Sequence, residues 1–364
     1  MSAPFIQDLQ QRVREARASA TPLVIRGGNT KSFYGATTIG ATAENTVDMR
    51  AYTGIIDYQP RELVLTVRAG TSLSEIESVM AEQAQLLPFE PPHFGAGATI
   101  GGTVASGLSG PRRAYTGAVR DFVLGTRIID GKGEDLRFGG RVIKNVAGYD
   151  VSRLMTGALG TLGILLDLSF KVLPQPALEN TLRFELDEAT AIQRFNEWAG
   201  QPLPLSATCW TGGAAMVRLS GTSAGVRSAQ EKLGGEVVNA PEAAALWASI
   251  RDHRHAFFAR TDLPLWRLSV PATTPVLALP SAPLIEWGGA LRWLQADVDA
   301  TGLRQQVAAI GGHVTLMRAA RGGVHGGAVF HPLDGKLAEL NRNLKTAFDP
   351  ADVLNRGRLD NISR

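Results

Sequence analysis

Cysteine is almost missing from this chain of 364 residues, where Cys209 stands alone. A single thiol excludes an internal disulfide, and it excludes any metal or iron–sulfur centre held by thiolates alone. Long hydrophobic runs are lacking too. No stretch approaches the roughly 20 apolar residues of a membrane span, and the N-terminus opens on a polar amphipathic segment instead of an apolar signal region. The chain therefore reads as cytoplasmic, peripheral at the inner face of a membrane only through partners. Basic tracts with interleaved aromatics are absent as well, so nucleic-acid binding is not expected. The net charge is only +3, from 37 Lys and Arg against 34 Asp and Glu. There is no G-x-x-x-x-G-K-[ST], and no G-x-G-x-x-G sits at a first strand–helix turn, which excludes a P-loop and a Rossmann dinucleotide site.

What the chain has in excess is glycine, with 40 residues against a usual share of roughly 7%. The excess is concentrated. Gly95 to Gly110 reads G-A-G-A-T-I-G-G-T-V-A-S-G-L-S-G and holds six glycines. So small a set of side chains buries little apolar area. It offers backbone N–H groups and hydroxyls that can converge on an anion such as a pyrophosphate. A second bare stretch, Arg26-Gly27-Gly28-Asn29-Thr30-Lys31-Ser32, follows the apolar run Leu23-Val24-Ile25. Two such segments, each beside a strand, imply one extended ligand gripped from two sides.

The length exceeds what one core fills, so the chain divides. Phe5, Ile6, Leu9, Val13 and Ala16 recur at helical spacing. Short strands are expected at Val47 to Met49 and at 55–58, and a clear β run at Leu63 to Val67. Ser72 followed by Glu75 forms a capping box for a helix that turns Leu73, Ile76 and Met80 to one side. A proline-stiffened lead, 86–94, enters the glycine stretch. A strand follows at Phe122 to Ile129, then a hairpin turn at 130–133, and a strand from Leu165 to Val172. Pro174 and Pro176 mark a boundary. From 178 to 330, strands alternate with helical stretches, which predicts an α+β unit with an antiparallel sheet and helices on one face. Lys336 to Phe348 places Leu337, Leu340, Leu344 and Phe348 at helical spacing, ahead of F-D-P-A-D-V-L-N-R-G-R.

These segments, in this order, resemble the FAD-binding domain of the vanillyl-alcohol-oxidase/PCMH flavoprotein superfamily. The resemblance rests on I-R-G-G-N-T-K-S, V-L-T-V-R-A-G-T-S-L-S-E-I, P-P-H-F-G-A-G-A-T-I-G-G-T-V-A-S-G, V-L-G-T-R-I-I-D-G-K-G and K-N-V-A-G-Y-D-V-S-R-L-M-T-G-A-L-G-T-L-G-I, with the tail motif. The K-N-V-A-G-Y-D-V form is most similar to the flavin-binding subunits of bacterial glycolate oxidases. The resemblance implies an α+β fold: a two-subdomain FAD-binding domain over 1–174, an α+β cap over 175–332, and a helix and tail over 333–364 that return to the flavin domain.

It also implies site residues. Arg26, Gly27, Gly28, Asn29, Thr30, Lys31 and Ser32 match the first pyrophosphate loop. Pro92, Ala98, Thr99, Ile100, Gly101, Gly102, Ser106 and Gly107 match the second, which reaches the flavin edge. Gly160, Gly163 and Ile164 match the adenosine end, while Lys144, Asn145, Tyr149 and Asp150 lie in a loop near the cofactor. Asn355 sits in the returning tail. Read from its neighbours alone, Asp150 serves equally as a helix N-cap, and Lys31 as a solvated lysine or a partner for diphosphate. Asn29 stands where some relatives carry a histidine tethered to the flavin, so FAD is expected to be non-covalent.

The implied chemistry is oxidation of a CH–OH group, taking hydride from a 2-hydroxy acid onto FAD. Relatives that oxidise such acids use a metal held in H-x-G-D-G-N-x-H. Here His325 to His331 is one residue shorter and lacks the Asp and Asn. No metal is expected there, nor at His253 and His255, read as a surface pair. His93 and His313 read as lone structural or loop residues. That departure favours an FAD subunit that works with a catalytic flavin subunit and an iron–sulfur subunit. Two alternatives remain open: a free-standing FAD 2-hydroxy-acid dehydrogenase using arginines such as Arg112, Arg113, Arg318 or Arg321, and an assembly subunit without flavin.

Overall fold

The computed structural model describes residues 2–140, 150–322 and 328–359. Two antiparallel sheets organise it. The first has five strands in the order Ile55–Gln59, Val64–Arg68, Ile164–Lys171, Val123–Ile129 and Asp135–Gly139. Val64–Arg68 is buried along nearly its whole length, and it reads as a continuous apolar run because both of its faces are covered. Helix Leu73–Ala81 lies over the sheet, with Leu73, Ile76 and Met80 fully buried. Its start is fixed by Ser72, whose hydroxyl accepts from the Glu75 amide at 3.1 Å.

A parallel pair of short strands, Val24–Arg26 and Thr46–Asp48, stands beside this layer. The N-terminal helix Ser2–Ser19 closes over it and buries Ile6, Leu9, Val13 and Ala16. The same cluster takes Val353 and Leu354 from the far end of the chain. Leu354 forms a parallel bridge with Leu23, so the tail adds to the pair.

The second sheet has eight strands in the order Glu236–Val238, Leu178–Glu185, Ala214–Gly221, Leu205–Thr211, Leu284–Glu286, Leu291–Gln295, Leu265–Ser269 and His313–Arg318. Three helices, Glu188–Ala199, Ser223–Leu233 and Ala300–Ala308, cover one face. The expectation that all its helices share that face is corrected. Trp247 and Ile250 of helix Ala240–Arg251 pack with Ala207, Cys209 and Trp293, which point to the opposite face, together with Tyr34, Leu108 and Leu159 of the first half. Strand alternation sends Cys209 and Trp210 to opposite sides, so both faces carry apolar residues and both must be covered.

Charged groups pin the two halves together. Glu90 accepts from the Arg112 amide at 2.8 Å and pairs with the Arg218 guanidinium at 2.8 Å. Arg112 reaches Glu179 at 2.7 Å. Burial opposes ionisation of Glu90, but the flanking Arg218 and Arg112 outweigh it and hold the carboxyl below its ordinary range.

The tail is held by Asp349, which is fully buried and accepts from the amides of Val353 at 3.1 Å and Leu354 at 2.7 Å. Lys345 donates to Asp349 at 2.7 Å and to the Thr161 carbonyl at 2.9 Å. Asp349→Ala leaves two buried amides without an acceptor, each costing about 1–3 kcal/mol. The variant is expected to melt several degrees lower in thermal unfolding; an unchanged melting temperature would show that Asp349 does not hold the tail.

Candidate functional site

A cleft with about 980 Å3 of empty space, part of it open to solvent, runs between the bare segments of the first half. Arg26, Gly27, Gly28, Asn29, Thr30, Lys31 and Ser32 line it on one side. Thr99, Gly101, Gly102 and Ser106 face them, and Gly160, Gly163 and Asn355 complete the wall. The structure thus brings together residues far apart in the chain.

Glycine is required here by close approach of main chain to main chain. A Cβ on Gly28 would collide with the Gly97 carbonyl, and one on Gly101 would stand 2.7 Å from the Ala69 carbonyl oxygen. Gly160 takes φ +73°, and a Cβ there would meet the Asn355 amide at 2.7 Å. Asn355 is itself a clamp: its Oδ1 accepts from the Ile25 amide at 2.8 Å, and its Nδ2 donates to the Leu159 carbonyl at 2.7 Å.

One expectation needs correction. The stretch from Gly95 to Gly110 is not a loop throughout, since Ile100–Ser106 is a helix capped by Thr99. Its small residues let the helix pack tightly, and its amides are spent inside the protein. Ile100 donates to Thr71 at 3.0 Å, Gly101 to Ala69 at 2.8 Å and Gly102 to the Thr99 hydroxyl at 3.2 Å. In contrast, none of the amides of Gly27 through Lys31 donates to another group of the described protein. The free donors suited to a diphosphate therefore lie in the first segment, and the second forms a close-fitting wall.

Other expected residues fall outside the cleft. Ala98 and Ile100 are buried in the core beneath it. Ile164 is buried in the cluster under the N-terminal helix. Gly107 ends the short helix in the left-handed region, φ 65°. Pro92 lines a separate cavity. Asp150 caps the turn Val151–Leu154, accepting from the Arg153 amide at 3.2 Å. Lys144, Asn145 and Tyr149 lie outside the described residues, as does His325.

Arg358 is a cleft residue that was not singled out from the sequence, although it closes the tail motif. Its guanidinium donates to the carbonyls of Ser32 at 3.0 Å and Tyr34 at 2.6 Å, which holds the turn after the first segment. Thr38, Met49 and Leu159 also line the cleft and carry no local signal. Lys31 sits 5.8 Å from the centre of the Phe94 ring. Burial pulls its pKa down to about 8, against an opposing pull from Asp252.

The histidines and arginines resolve individually. His253 is not a surface residue: it follows helix Ala240–Arg251 at φ 52° and stacks on Phe258 at 4.3 Å. The left-handed turn swings the ring inward, and burial pushes its pKa down to about 3. His255 caps a 3-10 turn. His93 meets Glu77 at 3.0 Å, His313 begins an edge strand, and His331 accepts from the Val314 amide at 3.4 Å. Among the described residues no group of three His, Cys, Asp or Glu is placed to hold a metal. Arg112 is committed to Glu90 and Glu179, and Arg318 to the carbonyls of Phe258 and Arg260, so neither is free for a substrate.

The fold and the cleft define an FAD-binding flavoprotein, and residues 5–139 match the family described as FAD binding domain. Within that class, the chain belongs to the family of glycolate oxidase subunit GlcE. The protein of that name from Escherichia coli (strain K12) is 45% identical over 355 residues, covering 98% of this chain and 97% of that one. A D-2-hydroxyglutarate dehydrogenase from Xanthomonas citri pv. viticola is 30% identical over 181 residues, 50% of this chain but 38% of its own length. Glycolate oxidase subunit GlcD from Bacillus subtilis (strain 168) is 32% identical over 128 residues, 35% of this chain and 27% of that protein. Among solved structures, p-cresol methylhydroxylase with substrate bound has the same fold, with a TM-score of 0.69 at 15% identity over 98% of this chain and 87% of that one.

Two outcomes follow for the cleft. Gly28→Ala is expected to fold and to bind FAD at least roughly tenfold more weakly, because the added carbon forces the facing segments apart; flavin-fluorescence titration reads this. Lys31 is charged below pH 8, and a bound diphosphate raises its pKa further. Its contribution to FAD affinity is therefore full below about pH 8 and lost as the pH rises beyond it. Wild-type affinity should fall between pH 7 and 9 in a way that Lys31→Met does not.

Proposed function

We propose that this chain is the FAD-binding subunit of a glycolate-oxidising complex, supporting conversion of glycolate to glyoxylate and passing the electrons to a partner subunit. The observation that carries this reading is the end-to-end similarity to a glycolate oxidase subunit, covering 98% of the chain. The cleft residues fit the cofactor. The free amides from Gly27 to Lys31 and the Lys31 ammonium would hold the diphosphate, and the tight wall of Gly101, Gly160 and Gly163 would admit the rest of the molecule. When bound, FAD supplies the two-electron acceptor for a CH–OH group. The protein's own work is to bind it, orient it and keep water from it.

The partners in this reading are a second flavin subunit, which carries the catalytic step, and an iron–sulfur subunit. No helix among the described residues is long and apolar enough to cross a membrane. The proposed location is the cytoplasm, with contact at the inner membrane face through those partners. FAD is held without a covalent bond, since the cleft position in question is Asn29 and the one cysteine is buried elsewhere. The relatives named D-2-hydroxyglutarate dehydrogenase and glycolate oxidase subunit GlcD align over only 38% and 27% of their own lengths, which weighs against a free-standing dehydrogenase. An intact cleft weighs against a flavin-free assembly role.

The purified chain is expected to be yellow and to release its flavin on denaturation. Mixed anaerobically with glycolate and an artificial electron acceptor, it should show no turnover alone and should show it once its partner subunits are added. Turnover by the isolated chain would replace this reading with the free-standing dehydrogenase, and a colourless chain that takes up no FAD would replace it with the assembly role.

A further inference from the structure

Backbone strain picks out a second site. Eleven non-glycine residues of the described protein have positive φ. Three of them, Asn29, Leu159 and Asn355, line the FAD cleft. Three more, Phe94 at 54°, His253 at 52° and Trp287 at 55°, line one other hollow between the two halves, with about 370 Å3 of empty space, part of it open to solvent. Each such residue costs on the order of 1–3 kcal/mol, and such strain persists where the surroundings impose it, notably at binding sites. Three of the eight strained positions outside the FAD cleft gather at this one small hollow, so its chemistry needs an account.

Two groups in it lack the partners their chemistry calls for. Arg267 lies deep between the halves, and its guanidinium makes no hydrogen bond or ion pair within the described protein. It rests only against the Trp287 ring, 5.2 Å from its centre, while Arg113 lies 4.4 Å from the same ring, likewise without a hydrogen-bonding partner. Glu286, buried in the same wall, accepts one hydrogen bond from the Trp293 indole at 2.7 Å. Trp293 is the cross-strand neighbour of Arg267, so cation and carboxyl belong to one rigid patch of sheet. An enclosed guanidinium with open donors takes an anion, and its planar fork suits a carboxylate.

We infer that this cavity binds a small 2-hydroxy or 2-oxo monocarboxylate, with Arg267 gripping the carboxylate and Glu286 the proton-exchanging neighbour of the hydroxyl or oxo group. The inference rests on the FAD-subunit reading and gives that subunit a pocket for substrate or product of its own. Glu286 matters because burial pushes its carboxyl up to about 7, with Glu90 adding to the rise and Arg267 and Arg218 opposing it. Other charged or titratable groups around it hold steady near neutrality. Burial keeps the facing Cys209 thiol protonated and His253 across the cavity neutral, and Arg251 stays charged. An ionised Glu286 repels the incoming anion, so binding takes up a proton above pH 7. Affinity should fall roughly tenfold from pH 6 to pH 8.

The test is calorimetric titration of the FAD-loaded chain with glycolate, and with glycolamide as the neutral isostere, alongside a separate measurement of flavin content. Saturable binding of glycolate but not of glycolamide is expected. Arg267→Gln should keep its flavin and lose at least roughly tenfold in glycolate affinity, while Arg267→Lys recovers part of it. Glu286→Gln should bind glycolate with no pH dependence between 6 and 8, which keeps the inference open to refutation even where Arg267→Gln fails to fold. A flavin-loaded chain that binds no glycolate, or an Arg267→Gln chain that binds it undiminished, overturns the inference and leaves the FAD-subunit reading standing. A chain that takes up no FAD defeats that reading instead.

Discussion

The structure hangs on a main-chain contact. The Gly28 and Gly97 backbones lie so close that no Cβ can stand between them. Bare peptide thereby becomes the material of the site. The amides from Gly27 to Lys31 stay free because no side chain folds back to satisfy them, and the opposite wall uses its own amides to lock a short helix against Ala69 and Thr71. One side of the cleft donates and the other shapes. A larger residue at either approach would separate those two jobs.

The second sheet faces a different problem. With apolar residues on both faces, it needs cover on both, and the flavin-binding half together with helix Ala240–Arg251 supplies the second cover. The join is sealed with charge as well as with hydrocarbon: Glu90 and Arg112 meet Arg218 and Glu179, and the Trp287 indole donates to the Gly110 carbonyl at 3.2 Å. Removing one member of such a buried set is costly because it strands the others. The geometry at the join is therefore well defined, and a hollow left in it can keep a fixed shape.

Much of this was legible in the residues. The N-cap at Ser72, the core side of its helix and the glycine-rich walls follow from local chemistry. What the residues hid was tertiary. The stretch after Thr99 looked like a free loop because small side chains mark loops and tight packing alike; only the neighbouring Ala69 shows which applies. His253 looked like part of a surface pair because the turn that buries it is set by Phe258 and Trp293. Arg358 carries a conspicuous charge, but its role depends on carbonyls more than 320 positions earlier in the chain. The unsatisfied state of Arg267 can be seen only once every possible partner has been placed.

The clamp at Asn355 has a consequence for biosynthesis. Its side chain joins the Ile25 amide across 330 positions of sequence. At ribosomal rates of about 5–20 residues per second, the strand carrying Ile25 emerges roughly 15–70 s before its clamp exists. The nascent chain can build its first sheet in that interval but cannot finish the cleft. Completion of the cleft is thus postponed until residue 355 has left the ribosome, and a ribosome that stalls before that point leaves a product with most of this architecture and an unclamped cleft.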